Sequence, residues 1–184
     1  MIELVAPAER YRASVLAAEA ESVAEGGGHG ITDENFSATL ARLADNAAGR
    51  NLKPRRVAET TLWLVDGDDY IGRIALRHAL TPLLVVLGGH IGYDVRPSRR
   101  RQGHATQMLR LAMPRMAALG VDPALITCDD TNLASRKVIE ACGGTLATDE
   151  ADVAAALAYV GDDATAREML AVPQLRFWLP TAQR

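Results

Sequence analysis

Residues 90–105, HIGYDVRPSRRRQGHA, constrain the fold of this 184-residue chain more than any other stretch. Ile91, Tyr93 and Val95 alternate with Gly92 and Asp94, which predicts a strand. Pro97 has no N–H to give to a ladder and ends it. Arg96, Arg99, Arg100 and Arg101 then crowd one short loop, and Gly103 opens a helical pattern. A strand, a basic loop and a helix start make an anion site. The first-turn N–H groups lack intrahelical partners, and the positive end of the helix dipole lies among them.

Around this stretch the chain reads as one domain over 1–184. Hydrophobic residues make up 48% of it, enough for a packed core without staples. No apolar run approaches the roughly 20 residues that span a bilayer, so no membrane partner is expected. The N-terminus carries Glu3 where a signal peptide needs an apolar run. With only Cys128 and Cys142 there is no disulfide framework, and a reduced cytoplasm is expected. The net charge of −3 argues against nucleic acid as a partner, so the arginines form a local patch suited to one small anion. No metal-ligand cluster is visible.

In chain order, Ile2–Val5 predicts a strand and 8–24 a helix, broken by the glycines of 26–30, which read as a loop or hinge. Thr32, with Asn35, starts a second helix that runs to about residue 48. Thr60–Val65 and Tyr70–His78 predict a hairpin about Gly67. Leu80–Leu87 is an apolar run ending in Gly88-Gly89, which reads as a turn or a bulge. The helix from Gly103 should kink near 110–114 because Pro114 lies inside it. Ala124–Cys128 predicts a fifth strand, capped by Asp130 or Thr131 into a helix ending near Ala141, with Thr145–Ala147 and Gln174–Leu179 as later strands. Residues 149–171 are acidic and alanine-rich and predict two short helices, about 150–159 and 163–170.

The segment Arg100-Arg101-Gln102-Gly103-His104-Ala105 fits the Arg/Gln-x-x-Gly-x-Gly/Ala signature, and the chain resembles the GCN5-related N-acetyltransferases, or GNAT enzymes, through Asn132 to Gly144. The resemblance implies an α/β fold: a mixed, mostly antiparallel sheet, splayed near its fourth and fifth strands and flanked by helices, with acetyl-CoA in the splay. It implies that N–H groups of Arg101, Gln102, Gly103, His104 and Ala105 hold the cofactor's pyrophosphate, with Arg100 or Arg101 adding charge. Tyr93, Asp94 and Val95 would pair with pantetheine like an added strand, an N–H near Val95 would serve as oxyanion donor, and Asn132 and Ser135 would contact the arm. The two-helix region before Thr60 would border the acceptor cleft, and 149–171 would be an insertion.

The reaction so implied is direct attack of a primary amine on acetyl-CoA in a ternary complex. The acceptor is a small molecule or a protein amine, and a homodimer is possible. The alternative is a catalytically weak acyl-CoA-binding sensor. A lysine-like amine, with a pKa of about 10.4, must lose a proton. His90 is the first candidate base, its unperturbed pKa being about 6.5. In a regular strand, however, His90 shares its face with Asp94 and not with Tyr93 and Val95, so Asp94 and Tyr93 compete with it. The family's tyrosine acid falls at Ile139, a departure that leaves Ser135, one turn earlier, as the candidate to protonate the thiolate. Cys128 reads as a small core residue.

Overall fold

The computed structural model describes residues 1–149 and 153–182. Its elements are β1 (Ile2–Val5), α1 (Arg12–Ala24), α2 (Phe36–Ala47), β2 (Glu59–Asp66), β3 (Asp69–Arg77), α3 (Pro82–Val86), β4 (Ile91–Val95), α4 (His104–Ala118), β5 (Ala124–Asp129), α5 (Leu133–Ala141), β6 (Thr145–Leu146), α6 (Val153–Val160), α7 (Ala164–Leu170) and β7 (Gln174–Leu179). Short 3-10 turns occupy Glu9–Tyr11 and Pro97–Arg99. The α/β class is as expected. The strands form a four-stranded sheet ordered β1-β2-β3-β4 and a three-stranded sheet ordered β5-β7-β6. The pairings of β1 with β2, β5 with β7 and β6 with β7 are antiparallel. Strands β4 and β5 fall in different sheets.

The chain divides into two compact units, Met1–Ala75 with Tyr93–Ala112, and Leu76–Gly92 with Met113–Arg184. In the first, apolar residues spaced along α1 and α2 and alternating on β2 close one cluster: Tyr11, Val15, Ala18, Phe36, Trp63, Val65 and Tyr70. The Trp63 ring meets Tyr11 and Tyr70 edge-on, at 6.0 and 5.6 Å between centroids, the geometry aromatic quadrupoles favour. Arg12 staples α1 to the start of α2 by donating to Asp33, Glu9 and Ser37. The helix start expected at Thr32 appears as reciprocal bonds, Asn35 N–H to Thr32 Oγ1 and Thr32 N–H to Asn35 Oδ1, with the regular helix following from Phe36.

In the second unit, Ile126, Phe177 and Leu179 are buried on the β5–β7 ladder. The apolar run after Leu80 is the helix α3, because Thr81 caps it by accepting from Leu84 N–H and Pro82 sits at its first turn. Gly88 and Gly89 form the turn before β4, with φ of 100° and 57°. Arg176 of β7, itself buried, donates to the Val85 carbonyl and to both the carbonyl and carboxylate of Asp149. It thereby ties the end of α3 to the start of the 149–171 stretch, whose α6 packs on α3. The first helix of that stretch is described from Val153, and 150–152 lie outside the described residues. Helix α4 continues through Pro114 without ending.

Candidate active site

The loop after β4 is shaped by acidic residues that the sequence left unassigned. Glu21, in the last turn of α1, and Glu25, the residue that ends it, lie four residues apart and so share a face. Glu21 pairs with Arg96 at 2.6 Å and accepts the Ser98 N–H at 3.0 Å. Glu25 pairs with Arg100 at 2.6 Å. Asp69 takes Arg96 at 3.3 Å and also pairs with Arg99. The arginine cluster is therefore largely neutralised within its own unit. Arg100 is committed to Glu25 and to the Val95 carbonyl, so the charge expected of Arg100 or Arg101 falls to Arg101, which makes no ion pair among the described residues. The hydrogen bond from Arg96 comes first in holding the Glu21 carboxyl down at about 2. Its contribution to stability is complete above about 4.5, the ordinary value, and is lost as pH falls toward 2. A Glu21→Gln variant should start less stable at neutral pH and lose less between pH 5 and pH 2, read as urea midpoints against pH.

Beyond Arg100 the backbone turns twice into the left-handed region, at Arg101 (φ 60°) and Gly103 (φ 82°), before α4 begins at His104. Alternation of this kind turns successive N–H groups to one side, as in an anion-binding nest. Among the described residues the N–H groups of 101–105 have no hydrogen-bond partner. A Cβ built on Gly103 meets nothing within 4 Å, so the approach to these groups is open. The imidazole of His104 is buried, and its Nδ1 has no partner.

Strand β4 is the outer strand of its sheet. Arg96 N–H donates to the Ile71 carbonyl of β3 at 2.9 Å, so even-numbered residues point their backbone groups at β3. Val95 accordingly turns its N–H to the free edge, where it finds no partner among the described residues. Asp94 does not stand alone: His29 Nε2 lies 3.0 Å from its Oδ2 and Arg73 Nε 3.9 Å. His29 comes from the glycine-rich loop, which is not a free hinge. The buried Glu19 carboxylate accepts the N–H groups of His29, Gly30 and Ile31 at 2.5–3.2 Å.

In the second unit His90 departs from its expected role. It is 8% exposed, its N–H donates to the Leu125 carbonyl at 2.7 Å, and its Nδ1 accepts the Leu125 N–H at 2.9 Å. The neutral ring must then carry its proton on Nε2, which leaves no free lone pair for a base. Burial, with the Arg77 charge adding to it, pushes its pKa down. His90 is thus tied to Leu125 of β5 through both its backbone and its ring. Asn132, not Asp130 or Thr131, caps α5, its Oδ1 accepting Ser135 N–H at 3.0 Å and its side-chain NH₂ left as the donor. Ser135 is half-buried and hydrogen-bonds Cys128. Burial raises the Cys128 thiol against that bond, so it stays protonated, as a core cysteine does. Ile139 is fully buried, and a Cβ on Gly144 would come within 2.4 Å of its Cγ2.

The family model of the acetyltransferase (GNAT) domain matches residues 3–145. The chain belongs to the GNAT acetyltransferase family. No curated protein matches it. Among solved structures it resembles the microcin C7 self-immunity acetyltransferase MccE in complex with acetyl-CoA and AMP, at TM-score 0.64 and 13% identity, over 97% of this chain and 92% of that one. It also resembles RimL, the ribosomal L7/L12 alpha-N-protein acetyltransferase, in complex with coenzyme A, at TM-score 0.62 and 16% identity over 99% and 96%. A third likeness is yncA, a putative acetyltransferase from Salmonella typhimurium with acetyl-CoA, at TM-score 0.58 and 10% identity over 100% and 95%. At these identities the likeness is one of fold.

As a GNAT enzyme the protein uses acetyl-CoA as co-substrate. The unpartnered N–H groups of 101–105, the unpaired Arg101 and the open face at Gly103 fit a diphosphate. The sequence did not single out Glu19, Glu21, Glu25 or His29. The four-residue spacing of Glu21 and Glu25, opposite in sign to the arginine loop, was the one available signal. Among the described residues no group of His, Cys, Asp and Glu could hold a metal, and no helix is long and apolar enough to cross a membrane.

Proposed function

We propose that this GNAT enzyme transfers the acetyl group of acetyl-CoA to a primary amine by direct attack in a ternary complex. The observation that carries the reading is the row of unpartnered backbone donors running from Val95 N–H, at the free edge of β4, to the N–H groups of 101–105. The latter bind the diphosphate, with Arg101 adding a charge-assisted contact. Val95 N–H is placed to stabilise the carbonyl oxygen as it gains charge. The thioester supplies an activated acetyl group and a thiol leaving group. That thiol has a pKa near that of cysteine, about 8.5, so the absence of the family tyrosine at Ile139 is tolerable.

The acceptor class is a small-molecule or protein amine, and the site of action the cytoplasm. MccE and RimL, as named, represent the two kinds of acceptor. Residues 149–171, beyond the family match, are an insertion carried on α3 through α6 and Arg176, within one domain of 1–184. Release of CoA thiol should be measured with acetyl-CoA and three amines: a hexapeptide with N-terminal serine, spermidine and Nα-acetyl-lysine. Amine-dependent release supports transfer, and a lag-free ternary pattern rather than ping-pong supports direct attack. Saturable binding of acetyl-CoA without amine-dependent release would favour a sensor.

A further inference from the structure

We infer that His29, held by Asp94, is the base that takes the proton from the attacking amine. The inference rests on the proposed amine transfer. His29 Nε2 lies 3.0 Å from Asp94 Oδ2. A carboxylate can only accept, so Nε2 is the protonated nitrogen, and the lone pair is left on Nδ1. That nitrogen makes no hydrogen bond among the described residues, and the side chain is 36% exposed. This is the reverse of His90, whose free lone pair is consumed by Leu125.

The placement is built. The loop that presents His29 is glycine-rich, yet Glu19 on α1 grips the N–H groups of His29, Gly30 and Ile31 from a buried position. A Cβ on Gly28 would stand 2.9 Å from Glu19 Oε1, so the loop closes tightly over that carboxylate. Asp94 adjoins Val95, whose N–H faces the open edge of β4. The residue that holds the base and the oxyanion donor are thus neighbours on one strand. The titratable and charged groups facing the pair are Glu19 from α1, Arg73 from β3, with its Nε 3.9 Å from Asp94, and Tyr70 from β3. Burial raises the Tyr70 phenol, which stays neutral. Arg96 is turned away to Glu21 and Asp69.

In the step itself, Nδ1 takes a proton from the ammonium, and the neutral nitrogen then bonds to the acetyl carbon, its second proton passing to the departing sulfur. The carbon–sulfur bond breaks with its electron pair on sulfur, and the imidazolium returns its proton to water. Asp94 is a positioning residue that fixes the tautomer, and Glu19 positions the loop.

The test compares two acceptors with acetyl-CoA: N-terminal serine hexapeptide, partly protonated at pH 7, and methoxyamine, already neutral there. His29→Gln should lower kcat/KM for the peptide about 100-fold. It should change the methoxyamine rate less than about threefold and leave the KM for acetyl-CoA alone. Asp94→Asn should give an intermediate loss, and imidazole in solution should restore part of the rate of His29→Ala. An unchanged peptide rate in His29→Gln would overturn the assignment, as would equal loss with both amines. If the wild type acetylates neither amine while binding acetyl-CoA, the proposed transfer fails, and this inference with it.

Discussion

Gly103→Glu should raise the Kd for acetyl-CoA about 30- to 150-fold while leaving the fold intact. Space is not the reason, since a Cβ at this position meets nothing within 4 Å. Two other effects are. Gly103 has φ 82°, a conformation that costs a side-chain-bearing residue about 1 kcal/mol. The new carboxylate would also stand beside the N–H groups proposed to receive the diphosphate. Like charges about 5 Å apart repel by about 3 kcal/mol at an effective dielectric near 20, and solvent screening at an exposed loop reduces this to about 2 kcal/mol. Gly103→Ala isolates the first effect and should weaken binding no more than about fivefold. Isothermal titration of both variants separates charge from backbone strain.

The second large effect is expected at Gly72, where β3 passes β4. A Cβ there would lie 2.4 Å from the Asp94 carbonyl oxygen and 3.1 Å from Val95 Cα. Both are backbone atoms, so the strand itself must move. Gly72→Ala should cost about 2–3 kcal/mol, as overpacking does, and lower Tm by about 5–10 °C. Because Asp94 holds His29 and Val95 carries the edge N–H, the displacement should also lower kcat at least about tenfold at saturating acetyl-CoA. Calorimetry and steady-state kinetics on one preparation read both. A large fall in Tm with unchanged kcat would mean that β4 yields without disturbing the site.

Much of the cradle was legible because its signals are local. The end of β4 at Pro97, the start of α4 beside Gly103 and the hairpin about Gly67 follow from residues adjacent in sequence. What was not legible depended on partners far along the chain. The Glu19 carboxylate reaches across about one helix length to the 29–31 amides, and no periodicity reports that. The glycines of 26–30 predict freedom, and a single buried acceptor removes it. His90 looked like a base because an imidazole at the start of this strand has an unperturbed pKa of about 6.5, but its nitrogen is spent on Leu125, a contact 35 residues away. Asp130 or Thr131 was anticipated as the α5 cap, and the residue that caps it is Asn132. The helix α3 hid in an apolar run of strand-like length, and only Thr81 and Pro82 at its start betrayed it.

The central claim is that backbone amides after Arg100 grip the diphosphate. Amide chemical shifts of ¹⁵N-labelled protein, followed during titration with acetyl-CoA and separately with inorganic pyrophosphate, test it most directly. The account predicts saturable shifts for Gln102, Gly103, His104 and Ala105 with both ligands, weaker with pyrophosphate and diminished by salt. Binding of acetyl-CoA that leaves these amides unmoved would contradict it.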